Sequence, residues 1–259
     1  MNFSGLSANR FWGKLLRLPL KLLPSHMVMP IWQGRLKGRK WIVGSSNHGC
    51  YLGSYEYEKR LLFESVVKEG GVVWDVGAHV GFYSLLASIL VGPAGRVVAF
   101  EPWPENIVYL KKHLYLNRLE NVTVVEKAVS DCTGEAWFQE GSSRSTGHLS
   151  PQGTLKVKTI RLDDFVQENP ALAPDYLKID VEGAELAVLA GAEKLLADFR
   201  PTIFLATMAG KFTGDAAISF GPGATPCLPS APRTWKILTK FSGSPPKTPN
   251  QENRFKVLR

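Results

Sequence analysis

The chain has few cysteines and none in a metal-binding arrangement. Cys50, Cys132 and Cys227 are the only three among 259 residues, and no CxxC or Cys/His spacing joins them. That argues against a disulfide framework or a zinc site and points to a reducing, cytoplasmic compartment. Long uncharged apolar runs are missing too. The most apolar N-terminal stretch, "FWGKLLRLPLKLLPSHMVMPIW", is broken by Lys14, Arg17 and Lys21 and by three prolines, so it reads poorly as a membrane span or a signal peptide. No internal repeat is visible. Acidic residues are absent from 1–40, which carries eight Lys/Arg, and only two stand against eight Lys/Arg in 208–259. The net charge of +8 therefore comes from the ends, because 41–207 holds fifteen Lys/Arg against twenty-one acids. A basic excess placed away from the middle disfavours nucleic acid as a partner. The basic, leucine-rich 1–40 segment reads as a solvated, partly packed helix, with peripheral membrane contact as the alternative.

Between residues 41 and 207 the pattern is regular. "KWIVGSS" reads as a short strand, and "SYEYEKRLLFESVVKEG" has helical apolar spacing with a glycine stop. "GVVWDVGAHVGFYSLLASILVG" gives a strand, a glycine turn and an apolar helix. "GRVVAFEP", "NVTVVEKAVSD", "DYLKIDVEG" and "RPTIFLAT" follow as strands, with "ENIVYLKKHLYLNRL" and "AELAVLAGAEKLLADF" as helices. Strands alternating with helices predict an α/β fold: a doubly wound, mostly parallel, Rossmann-like sheet. "EAWFQEG" and "LKVKTIRLDD" form an extra hairpin around the polar loop "SSRSTGHLSPQG".

Three features in this frame carry chemistry. The first is the turn from Asp75 through Gly77 and His79 to Gly81, where glycines permit positive φ and close approach. His is among the side chains that tolerate φ > 0. The second is Glu101, ending "VVAFEP", whose two carboxylate oxygens are suited to accept from both hydroxyls of a ribose. The Gly77-x-x-x-Gly81 spacing departs from the dinucleotide pattern Gly-x-Gly-x-x-Gly, and an acid at Asp75 would repel a pyrophosphate while receiving an ammonium. S-adenosylmethionine is the better ligand, and an NAD-linked enzyme the weaker alternative. The third feature is "LKIDVEGAE", which sets Asp180 at the end of the strand expected beside the first, facing the reactive end of the cofactor. Glu182 and Glu185 also suit a helix N-terminus.

These stretches together resemble the FkbM-type S-adenosylmethionine-dependent methyltransferases, from about Gly38 to Thr207. The resemblance implies a class I methyltransferase sheet and methyl transfer to a hydroxyl of a small-molecule acceptor, a sugar or secondary metabolite. It assigns Asp75, Gly77, His79 and Gly81 to the cofactor loop and Glu101 to the ribose. Ser130 and Asp131 would lie near the adenine, and Asp180 and Glu182 beside the methyl group and the acceptor. The family commonly has Asn where His79 stands. A general base would take the hydroxyl proton, and Asp180 and His148 are the candidates. A truncated, non-catalytic paralogue that retains the cofactor site is the second functional reading.

The pattern changes at "FLATMAG". Members of this family continue "ATHG", whereas residues 208–259 are irregular, basic and hold seven of the seventeen prolines. Such a composition predicts that the regular final strands are lacking and that order fails from about residue 209, apart from a short element in "RTWKILTKF". Read one base upstream, the codons allowed for Met208 onward permit His-Gly and later a Cys-Cys pair. The reading is a one-base frameshift near Thr207, against a divergent tail or an alternative exon. The expected organisation is thus a basic segment (1–40), a cofactor-binding domain (41–207) and an irregular tail (208–259).

Overall fold

In the computed structural model the described residues are 19–139, 141, 147–181, 183–207, 237–238 and 254–258. Strands β1 (Val28–Pro30) and β2 (Lys40–Ile42) form an antiparallel pair, followed by helices α1 (His48–Leu52) and α2 (Tyr57–Val66). The boundary expected at residue 40 therefore falls inside β2. Then come β3 (Val72–Val76), α3 (Phe82–Val91), β4 (Arg96–Phe100), α4 (Pro104–Leu116) and β5 (Val122–Val125). A smaller sheet is built from β6 (Ala128–Val129), β7 (Gly134–Gln139), β8 (His148–Leu149) and β9 (Leu155–Ile160). The chain continues through α5 (Leu162–Glu168), β10 (Tyr176–Ile179), α6 (Glu185–Ala190), α7 (Glu193–Phe199), β11 (Thr202–Thr207), β12 (Ile237–Leu238) and β13 (Arg254–Leu258).

The main sheet has the order β12-β13-β11-β10-β3-β4-β5. Strands β11, β10, β3, β4 and β5 are parallel neighbours, as the alternation of elements requires. The chain winds outward from β3 to β5, then resumes at β10 on the other side of β3. Strand order thus reverses between β3 and β10, where such sheets open a crevice at the strands' carboxyl ends. Both faces are covered. One core contains Val73, Leu85, Leu110 and Phe204; the other contains Trp74, Phe100, Leu177 and Leu195. Helix α3 is buried almost all round because it lies between the sheet and the N-terminal elements.

Three expectations are corrected. "NVTVVEKAVSD" is two strands, not one: β5 joins the main sheet, while β6 pairs with β9 in the smaller sheet. The helix expected over "AELAVLAGAEKLLADF" is split at Gly191. A side chain there would place Cβ 2.1 Å from the carbonyl oxygen of Ser130. The buried Asp163 carboxylate then caps α7, accepting from the Leu195 N–H at 2.9 Å. Finally, regular strands do follow Thr207. β13 runs antiparallel along β11 from Ile203↔Leu258 to Thr207↔Arg254, and β12, within "RTWKILTKF", pairs with β13. β13, "RFKVL", alternates polar and apolar residues as a strand does, and the two-residue β12 forms the edge. The order expected to fail elsewhere after residue 208 concerns positions outside the described residues, as does the helix expected before Pro19.

The N-terminal elements are tied to α4 by side chains that stand in for backbone. Asn117 Oδ1 accepts from the Lys40 N–H at 2.8 Å, and its Nδ2 donates to the Lys40 carbonyl at 2.8 Å. His113 stacks on Trp41 with ring centroids 3.8 Å apart. Among the described residues, no helix is long and apolar enough to cross a membrane.

Candidate functional site

The carboxyl ends of β3, β4 and β10 meet at an open cleft. Gly77, Glu101 and Asp180 contribute to it from the main sheet, Asn106 from α4, and Phe138, His148 and Leu149 from the smaller sheet. Its mixture of apolar wall and few polar groups is the lining expected of a small-molecule site.

The glycine turn is shaped by close contact with its neighbours. Gly77 has φ +77°, and a Cβ there would lie 2.0 Å from the carbonyl oxygen of Asp180. Only glycine lets β3 and β10 end this close together. Gly81 has φ +92°, with Leu110 filling the space of a side chain. His79 takes φ 52°, as expected for a histidine in this turn. The N–H groups of Gly77 and Ala78 donate to the Phe100 carbonyl at 3.1 and 3.0 Å, fastening the turn to the end of β4.

Glu101 lies at the tip of β4 and is buried. Its Oε2 accepts from the His79 N–H at 2.7 Å. Its Oε1 accepts from the Trp103 N–H at 3.0 Å and from Asn106 Nδ2 at 3.1 Å. Burial pushes the carboxyl above the usual range, while these hydrogen bonds act against that rise.

Asp75 occupies a different environment from the one the sequence suggested. Its carboxylate is buried, lies 2.9 Å from the Lys178 ammonium and accepts from the Ser84 hydroxyl at 2.7 Å. It does not line the cleft, so the ammonium that meets Asp75 is that of Lys178. Lys178 was missed in the sequence, although a lone lysine in the apolar run "YLKI" is a signal. The register sets Lys178 directly opposite Asp75 on adjacent strands. Its Nζ also donates to the Gly77 carbonyl at 3.1 Å, lies 3.8 Å from Asp180 Oδ2 and sits 5.2 Å from the Tyr83 ring centroid. Burial works against the charge of Lys178, but Asp75 and Asp180 outweigh it and hold the ammonium above its ordinary pKa. Asp180 lines the cleft at the switch point. Burial raises its carboxyl, with Lys178 opposing the rise.

His148 reaches the cleft from β8 of the smaller sheet. Ser130 and Asp131 do not line it. The Ser130 N–H donates to the Ile160 carbonyl at 3.1 Å and its hydroxyl to Asp131 Oδ1 at 3.1 Å, while the cleft touches Lys127, Ala128 and Val129 just upstream. Glu182 lies outside the described residues. Sequence reasoning missed two cleft residues with buried, unpartnered atoms among the described residues: Trp103 Nε1 and Asn106 Oδ1. A second, partly open pocket shares Gly77, His79 and Asp180 and is also lined by Ser46, Cys50 and Tyr55. Burial pushes the Cys50 thiol up to about 12, which leaves it protonated and unsuited as a nucleophile.

Comparison with known proteins adds a family match. The Methyltransferase FkbM domain matches residues 75–223, more than half the chain, and continues past Thr207. Over 140 residues the chain is 31% identical to the hexuronic acid methyltransferase AglP of Haloferax volcanii, covering 53% of this chain and 56% of that protein. It is 28% identical over 160 residues to the 31-O-demethyl-FK506 methyltransferase FkbM of Streptomyces tacrolimicus, covering 49% and 61% respectively. The chain thus spans little more than half the length of these curated relatives. A solved methyltransferase FkbM from Methylobacillus flagellatus KT aligns with a TM-score of 0.40 at 20% identity, covering 62% of this chain and 44% of that one.

Proposed function

Because the chain belongs to the Methyltransferase FkbM domain family, we propose that it transfers a methyl group from S-adenosylmethionine to a hydroxyl oxygen of a sugar or secondary-metabolite acceptor. The observation that carries this reading is Glu101: a buried carboxylate at a strand tip, held on the wall of a switch-point cleft. The residues present fit the cofactor. Glu101 offers an acceptor to ribose, Trp103 Nε1 is a donor without a partner among the described residues, and Phe138 and Leu149 give a nucleobase an apolar wall. The two relatives named above carry acceptors of both classes in their names.

When bound, S-adenosylmethionine would supply an activated methyl group, with its sulfonium sulfur as the leaving group that keeps the bonding pair. The protein's tasks are to align that oxygen, exclude water and take its proton. Asp180 and His148 reach the cleft from the two different sheets and are the two groups suited to hold the acceptor hydroxyl. Lys178, beside Asp180, favours its ionised form, which a proton acceptor requires.

Calorimetry and transfer assays test the reading. The chain is expected to bind S-adenosylmethionine but not NAD, and to methylate hydroxylated acceptors, with hexuronic acids first among those assayed. Asp180→Asn should keep cofactor binding and lower transfer by about 10²- to 10⁴-fold, the usual contribution of a general base. Its removal should also abolish the acid limb of the rate profile, which the raised carboxyl of Asp180 places above the ordinary aspartate range. Tight binding of NAD, or full transfer by both Asp180→Asn and His148→Ala, would overturn the assignment.

A further inference from the structure

A carboxylate offers about four acceptor sites, two on each oxygen. Three of those on Glu101 are taken by protein donors: two at Oε1, from the Trp103 N–H and Asn106 Nδ2, and one at Oε2, from the His79 N–H. One site remains, on Oε2. A ribose presents two hydroxyl donors, so Glu101 as held here is one acceptor short.

Asn106 has the missing acceptor. It is 4% exposed, lines the same cleft, and its Oδ1 has no hydrogen-bond partner among the described residues. Turning the amide over does not remove this orphan. It would set Oδ1 against Glu101 Oε1, at the 3.1 Å now spanned by Nδ2, and bring two acceptors together. Glu101 therefore fixes the orientation of the amide and leaves Oδ1 as its unpaired end. A buried acceptor with no partner is costly, and a donor from a ligand relieves that cost.

We propose that Asn106 and Glu101 read the cofactor's ribose diol together, one hydroxyl donating to Glu101 Oε2 and the other to Asn106 Oδ1. This deepens the methyltransferase reading and rests on it. Asn106 becomes a binding residue for the nucleoside, placed by the first turn of α4 five positions after the carboxylate it completes.

The test is calorimetry with S-adenosylhomocysteine and its 2′-deoxy and 3′-deoxy analogues. With the unaltered chain, each analogue is expected to bind about tenfold or more weakly than the parent, because each leaves a buried acceptor unpaired. In Asn106→Ala, one analogue should bind as tightly as the parent while the other keeps its penalty. Persistence of both penalties in Asn106→Ala overturns the proposal. So does equal binding of either analogue and the parent by the unaltered chain, a result that requires no variant to fold. Asn106→Leu, close in size but without an acceptor, repeats the comparison if the alanine variant is unstable. If the unaltered chain fails to bind S-adenosylhomocysteine at all, the methyltransferase reading itself falls. Binding without the analogue pattern overturns the ribose proposal alone.

Discussion

Lowering the pH from 7 to 4 removes stability through one buried side chain, His113. Its ring is fully enclosed and is held from both nitrogens. Nε2 faces the Ile42 N–H at 3.1 Å and must accept; Nδ1 lies 2.8 Å from the Val80 carbonyl and so carries the proton. The neutral ring thereby straps β2, through α4, to the glycine turn. Protonating Nε2 would point two donors at each other and bury a charge beside Trp41. Burial accordingly pulls the histidine down from 6.5 to about 4, with the bond to Val80 acting weakly the other way. The unfolded chain takes up this proton near pH 6.5 and the folded chain only near 4, so stability at this group is full above about 6.5 and is lost as pH falls toward 4. Each pH unit across that span is worth about 1.36 kcal/mol, which makes the loss about 3 kcal/mol. Urea unfolding at a series of pH values measures it. His113→Gln cannot titrate, so the difference in slope between the two proteins isolates this ring from the other carboxyl and imidazole groups. Parallel stability–pH curves with unchanged m-values would refute the argument.

Two further outcomes are expected. Lys178→Met leaves the Asp75 carboxylate, 1% exposed, without its partner and should cost about 3–5 kcal/mol in urea unfolding. Adding Asp75→Asn should recover part of that cost, and a single-variant loss below about 0.5 kcal/mol, as at an ordinary surface site, would contradict the buried pairing. At the seam, the nucleotide sequence around the Thr207 codon should show that a single-base change opens a longer frame beginning His-Gly. If no such frame exists, the tail is the gene's own sequence, and the family match that continues to residue 223 reflects it directly.

The parallel sheet was legible because periodicity and turn residues act locally. An apolar run, a glycine turn and an amphipathic helix leave few topologies, and the switch point between β3 and β10 follows from them. The placement of Glu101 and Asp180 at the cleft was legible for the same reason, since each is an acid just past a buried strand. What escaped was set by contacts between segments far apart in the chain. The helix break at Gly191 answers to the carbonyl of Ser130, about sixty residues upstream. Asp75 read as a ligand's acid until the register of β10 brought Lys178 opposite it. Ser130 and Asp131 were assigned to the nucleobase, but with β6 paired in the second sheet the cleft is lined by Lys127, Ala128 and Val129 instead.

The same distinction separates what a residue is able to bond from what it has left to bond. Four acceptor sites on Glu101 are a property of the residue type, and they made it a sufficient partner for both ribose hydroxyls. Which of them are spent depends on His79, Trp103 and Asn106 closing around it. Those bonds hold the carboxylate in one orientation, so it is positioned before any ligand arrives, and they also consume most of its capacity. Fixing one recognition group in this way requires a second to complete the recognition. Asn106 is where both demands meet, because its Nδ2 holds Glu101 in place while its buried Oδ1 has no partner among the described residues.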